Sequence, residues 1–184
     1  IKEAFRLLNT FGYSGQSLPS TRAIIPIIYY LYHRRIWNNY STSIGYKDDR
    51  NIIKTWLHQA NLHRIFGGSS DNTLVKIRRA FTNDISVPMQ TPITSFPAEV
   101  IKQSLGTDMA VSDELIHDCL HTEKDSPYAF PILSLLFPYL DYKNNNFHKD
   151  HLHAANLVLN FDVNSVQEED RQYYQNSSWW NSIL

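Results

Sequence analysis

Asp48-Asp49-Arg50-Asn51-Ile52-Ile53-Lys54-Thr55-Trp56-Leu57-His58-Gln59-Ala60 opens the stretch that decides the fold, which runs on through Phe66-Gly67-Gly68 to Leu74-Val75-Lys76-Ile77-Arg78-Arg79-Ala80-Phe81. Ile52, Ile53, Trp56, Leu57 and Ala60 recur at intervals of three and four, the period of one apolar face on a helix. Asp48 and Asp49 put carboxylates at the end of that helix where unpaired N–H groups favour negative charge. The glycine pair predicts the stop, because glycine takes left-handed angles without strain. Ser70 or Asp71 then caps a second helix through Ala80, with Leu74, Val75, Ile77, Arg78 and Phe81 following. Two helices joined by so short a link make an αα-hairpin.

Upstream, the polar run from Asn38 to Gly45 separates this hairpin from a helix over Arg22–Trp37. Pro26 fits that helix only in its first turn, so the helix proper begins near Ile25. Its apolar residues nearly encircle it, the pattern of a buried central helix. Gly12, Gly15 and Pro19 mark a loop over Thr10–Ser20. Residues 1–9 read as a helix with Ile1, Phe5 and Leu8 on one stripe. Downstream, Pro88, Pro92 and Pro97 exclude a helix between Asp84 and Pro97 and predict a long surface loop. A short helix from Pro97 to Leu105 is stopped by Gly106, and Ser112 caps another over Asp113–His121 with Leu115, Ile116, Cys119 and Leu120 inward. The apolar run Tyr128–Leu140, bracketed by Pro131 and Pro138, fits a buried strand or a buried helix, and its helical neighbours favour the helix. Asn164-Ser165 with Glu168 matches a capping box for a helix to Gln175. The predicted fold is mainly α, an irregular bundle of six or seven helices.

The 184 residues suit one compact domain with a small appendage. Hydrophobic residues make up 42%, which excludes a disordered chain, and eleven tyrosines suit an aromatic-rich core. A net charge of -1 excludes a basic nucleic-acid grip for the chain taken whole. The lone Cys119 rules out an internal disulfide and agrees with a reducing cytoplasm. No apolar run reaches the roughly 18 residues of a membrane span, so no membrane partner is expected.

Chemistry concentrates in Asn146-Phe147-His148-Lys149-Asp150-His151-Leu152-His153. In a continuous strand, alternate residues face opposite ways, which separates Asp150 from His151. If the strand ends at Asp150 and the chain turns, the two side chains converge. A carboxylate then holds a hard divalent cation through oxygen, and the imidazole beside it takes a proton from water near neutral pH.

Phe147-His148-Lys149-Asp150-His151-Leu152-His153-Ala154-Ala155-Asn156-Leu157 resembles the Asp-His-aliphatic-x-Pro signature that opens the HNH nuclease domain of GmrSD-type restriction proteins. Ile65-Phe66-Gly67-Gly68-Ser69-Ser70-Asp71-Asn72-Thr73-Leu74 is similar to a junction in that family's helical region. Gly12-Tyr13, Leu18-Pro19-Ser20 and Pro26 to Tyr32 are similar to its start. The resemblance implies a helical domain over 1–127 and a partial ββα-type HNH segment over 128–184. Upstream it implies a ParB/sulfiredoxin-like nucleotide-hydrolysing domain. It further implies a DNA substrate and a magnesium or manganese ion held by Asp150. His151 would be the general base, with His148 and His153 positioning phosphate. Ala154 departs from the family proline and leaves the turn after the strand less constrained. The Asn-Leu-x-x-Leu run and the helix that complete the family's metal site are not in the chain, so the reading is of an inactive fragment of a larger enzyme.

Other constellations read more plainly. Zinc wants four converging ligands, usually more widely spaced than these histidines. A solvated surface strand without metal remains the plain alternative for the whole stretch. His117 and His121 lie four apart but lack the glutamate of a His-Glu-x-x-His site, and with His58 and His63 they read as hydrogen-bonded helical histidines. His33-Arg34-Arg35 and Lys76 with Arg78-Arg79 read as solvated helix faces. No serine has a recognisable triad, and Gly67-Gly68 lacks the lysine of a phosphate loop. The rival to a nuclease is a non-catalytic helical scaffold joining a nucleotide-dependent domain to an effector.

Overall fold

The computed structural model describes residues 1–68, 70–82, 94–142, 144–145, 147–149 and 162–171. Among them are seven α-helices and no strand: α1 Lys2–Thr10, α2 Ile24–His33, α3 Lys47–Leu62, α4 Ser70–Thr82, α5 Ala98–Leu105, α6 Asp113–Leu120 and α7 Ala129–Leu136. The mainly α class is as expected. Of the strand expected to open the HNH element, Phe147, His148 and Lys149 are described and form no strand, while its part from Asp150 on, most of the proline-rich loop over Asp84–Pro97 and the later part of the helix to Gln175 lie outside the described residues. What is described there is a pair of 3₁₀ turns, Val163–Ser165 and Glu168–Asp170. Asp162, rather than a capping box, accepts from the Asn164 amide at 3.0 Å. No helix among the described residues is long and apolar enough to cross a membrane.

α3 is the axis. Ile53, Trp56, Leu57 and Ala60 are all but fully buried. α5 and α7 pack against it, while α2 packs on α1 and α4, and α4 on α5. Phe96, where the chain returns just before α5, closes the core. Its ring lies 5.4 Å from Tyr30, 5.1 Å from Trp56 and 6.1 Å from Phe81, centroid to centroid, all edge-on or tilted as aromatic quadrupoles prefer.

Helix ends follow a rule that the glycine pattern only partly anticipates. Gly106, at φ +65°, ends α5 as expected, and the Ser112 hydroxyl caps α6 by accepting from the Leu115 amide at 3.2 Å. α3, however, stops before Gly67-Gly68. Arg64 turns left-handed at φ +50° and the Ile65 amide reaches back to the Ala60 carbonyl at 2.9 Å. α2 likewise stops short of Trp37. Arg35 takes φ +55°, and the Ile36 amide bonds the Leu31 carbonyl at 3.0 Å. This six-to-one closure satisfies carbonyls that the last turn leaves unpaired. It puts the buried Ile36 and half-buried Ile65 back against the core, and that packing offsets the left-handed strain of a non-glycine residue.

The apolar stripes also differ from expectation. On α1 the inward residues are Ala4, Leu7 and Leu8, followed by Phe11, while Ile1 and Phe5 are 79% and 51% exposed. Glu3 sets this rotation. Its carboxylate is turned inward, accepting from the Ser41 amide and hydroxyl at 2.8 Å each and from Arg6 at 3.2 Å. Burial pushes that carboxyl up, but these donors outweigh it and hold Glu3 below its ordinary range. On α6, Ile116 and Leu120 face out and only Leu115 and Cys119 are half-buried. α2 is not covered all round, and Ile25 and Tyr32 are exposed.

Candidate functional site

The aromatic chain that carries the backbone toward the Asp-His stretch begins in the core. Tyr13, just after α1, lies on α3 with its hydroxyl between two buried side chains: Asn61 Nδ2 donates to it at 3.1 Å, and His58 Nδ1 sits 3.0 Å away. The hydroxyl and His58 Nδ1 share one hydrogen bond, whose direction follows the imidazole tautomer. That Nε2 has no hydrogen-bond partner among the described residues. Burial first, and the Lys54 charge one turn earlier second, push the His58 pKa down to about 4.

From Tyr13 a series of rings runs outward. Phe130 on α7 meets Tyr13 edge-on at 5.1 Å, Tyr142 meets Phe130 edge-on at 5.5 Å, and Phe147 meets Tyr142 at 5.2 Å. The Tyr142 hydroxyl donates to the Phe137 carbonyl at 2.9 Å, just past the end of α7. Gly12 lets Tyr142 approach. It sits at φ +86°, and a Cβ there would lie 2.4 Å from Tyr142 Cβ and 2.9 Å from Phe130 Cζ. Phe147, three residues before Asp150 in the sequence, is the last ring of the series and is 48% exposed.

Of the residues expected to carry chemistry, His148 is described and is exposed beside Phe147. Asp150, His151 and His153 lie outside the described residues. No group of three His, Cys, Asp or Glu positioned for a metal exists among the described residues. His117 and His121 stack at 4.2 Å, and His121 Nδ1 lies 2.8 Å from the His117 carbonyl, which can only accept. That nitrogen is therefore a donor that closes the end of α6.

Two features escaped the sequence reading. Asp49 is more than a charge at the start of α3. Its Oδ2 accepts from the hydroxyls of Tyr30 at 2.5 Å and Tyr40 at 2.6 Å, and its Oδ1 accepts from the Phe96 amide at 2.7 Å. Burial and then this carboxylate raise both tyrosine pKa values far above the ordinary range, so both stay protonated donors. Arg34 extends the cluster, donating to the Tyr30 hydroxyl at 3.1 Å and to the Thr94 carbonyl. The second is a cleft of about 240 Å³ lined by His63, Arg64, Asp118, Cys119 and Tyr128, with Arg64 stacked 4.8 Å over the Tyr128 ring. Burial and the Asp118 charge raise the Cys119 pKa, so the thiol stays protonated and is a poor nucleophile.

The neutral His58 predicts an acid-sensitive body. A histidine whose folded pKa is lowered is bound by a proton more readily when unfolded. Its contribution is flat above the unfolded pKa of about 6.5, and stability falls between there and about 4. The full fall is about 3 kcal/mol. Urea unfolding at pH 7 and pH 4.5 checks this against His58→Asn, whose amide can donate to or accept from the Tyr13 hydroxyl in place of Nδ1 and which does not titrate. Glu3 destabilises the fold on acidification in both proteins, so the expected result is a smaller loss for the variant. Equal losses would remove His58 as the cause.

No protein-family model matches the chain, and no curated protein matches it.

Proposed function

We propose that this chain is the helical body and the opening of the nuclease motif of a metal-dependent HNH DNA endonuclease of the modification-dependent restriction type. One observation supports the reading: the residue types of a ligand and a base gather in sequence at His148 to His153, directly after Phe147, whose ring meets Tyr142 at 5.2 Å. In this reading Asp150 supplies oxygen to a magnesium or manganese ion. His151 takes the proton of the attacking water, and His148 and His153 hold the phosphate. The metal, when bound, stabilises charge on the phosphate and the leaving oxygen. A ββα HNH element would begin at this stretch, DNA would be the substrate, and a nucleotide-hydrolysing domain would be the partner within the same protein.

The test is Asp150→Ala and His151→Ala in the full-length protein. Each should cut magnesium-dependent DNA cleavage by about a hundredfold or more, with helical circular dichroism unchanged. Cleavage at the wild-type rate in both would end the nuclease assignment. The second reading, a non-catalytic helical scaffold, draws on the open apolar face of α2, and cleavage untouched by both substitutions would favour it.

A further inference from the structure

α2 and α4 leave a groove between them that the nuclease reading does not use. A cavity of about 660 Å³ runs along α2 past Ile28, Tyr32, Ile36 and Trp37 to the start of α1. A second of about 200 Å³ lies between α2 and α4, against Leu74, Val75 and Phe81. Both are lined by Ile25 and Tyr29, so the two adjoin along α2 and together make up the trough. Its walls are mostly aliphatic, yet Tyr32 and Trp37 remain 61% and 57% exposed, with rings 5.8 Å apart. Exposed apolar surface of this extent on a helical body marks a docking site.

Charge says what docks there. The residues lining the trough that are charged at neutral pH are Lys2, Glu3 and Arg78. The Glu3 carboxylate is held by Ser41 and Arg6. No Asp or Glu occurs between Glu3 and Asp48, and α4 carries Lys76, Arg78 and Arg79 against Asp71 alone. The near-zero net charge conceals this. Residues 1–82 hold twelve Lys and Arg against four Asp and Glu, while the rest holds five against fourteen. One residue of each basic cluster lines it, His33 in the cavity toward α1 and Arg78 in the cavity toward α4, and Lys76 and Arg79 lie exposed on the same helix as Arg78. Burial, and then the charge of Arg78, lower the pKa of His33.

We infer that the α2–α4 trough binds an amphipathic helix of a partner protein, its apolar face in the groove and acidic residues along its edges. A second copy of this chain would bring like charges together at the symmetric contact, which costs affinity. Nucleic acid would leave the aliphatic floor uncovered. An acidic amphipathic helix satisfies both floor and rim, in the common helix-in-groove mode. The exposed Tyr32 and Trp37 are of the residue types that dominate binding energy at interfaces.

The probe is a fluorescein-labelled synthetic helix of about 18 residues, leucine at i, i+3, i+4 and i+7 with glutamate between, read by fluorescence anisotropy on the intact chain. Saturable binding is expected, weakened by added salt and at least about tenfold weaker for a scrambled peptide or a lysine-for-glutamate version. Tyr32→Ser and Trp37→Ser should weaken it by about tenfold or more, and Lys76→Gln/Arg79→Gln by several-fold. All four are exposed positions, so circular dichroism and melting temperature should hold. The inference falls if no binding occurs up to about millimolar peptide, if the scrambled peptide binds equally, or if the surface substitutions change nothing. Tighter binding of a DNA duplex of about 20 base pairs, lost in the same variants, would make the trough a nucleic-acid site instead. Asp150→Ala, which abolishes cleavage in the nuclease reading, should leave peptide binding unchanged, so the two ideas fail separately.

Discussion

Gly12→Ala should lower stability by about 2–5 kcal/mol, or about 5–15 °C in melting temperature for a chain of this size. Two costs add. The residue sits at φ +86°, where a side chain costs about 1–2 kcal/mol. Its new Cβ would also lie 2.4 Å from Tyr142 Cβ. That neighbour is the root of a side chain rather than a flexible tip, so relief requires moving the Tyr142 backbone and its stack on Phe130. The expected consequence reaches past stability, because Phe147 leans on Tyr142. In the nuclease reading, cleavage should fall even at temperatures where the helices remain folded. Tyr142→Gly isolates the clash. In the double variant the clash with Tyr142 disappears, leaving the left-handed cost of alanine and the contact with the tip of the Phe130 ring, so the two effects should be non-additive by about 1–3 kcal/mol. A Gly12→Ala protein melting within a degree of the parent would show that Tyr142 does not pack there.

Asp49→Ala should cost about 3–5 kcal/mol, read from urea unfolding at pH 7. It strips the acceptor from two tyrosine hydroxyls and one backbone amide at once. Tyr30 and Tyr40 are 1% and 0% exposed, so water replaces the lost partner poorly, and each stranded donor costs about 1–3 kcal/mol. Arg34 beside Tyr30 would also lose its nearby negative charge. Asp49→Asn separates charge from shape. One amide oxygen can still accept, while the amide nitrogen faces a donor, so this variant should fall between the parent and Asp49→Ala. Tyr30→Phe and Tyr40→Phe should each cost less, about 1 kcal/mol, since they remove a donor along with its bond. An alanine variant as stable as the parent would mean that the cluster contributes nothing.

The two predictions mark where reading a sequence works and where it stops. Helix existence was legible at every position where the cause is local. The three- and four-residue spacing of Ile53, Trp56, Leu57 and Ala60 marks α3. Ser112 caps α6 and Gly106 ends α5, each within one turn of the residue responsible. Helix ends at Arg35 and Arg64 were not legible, because their left-handed angles are imposed by the next residue returning to a core formed elsewhere. The face each helix buries was partly legible. α1 rotates because Glu3 finds Ser41, which lies 38 residues away.

By itself the sequence determined that the described chain is helical, and it singled out one short stretch, His148 to His153, for chemistry, because period, capping and residue type act over a few neighbouring residues. The tertiary structure alone decided that Asp49 joins α2, α3 and the approach to α5, that Tyr13 rests between His58 and Asn61, that Gly12 admits Tyr142, and that His33 and Arg78 line adjoining apolar cavities. Each of these joins side chains dozens of residues apart. Their meeting is set by packing, where burial of apolar area and satisfaction of buried polar groups select one arrangement among many that the same local pattern allows.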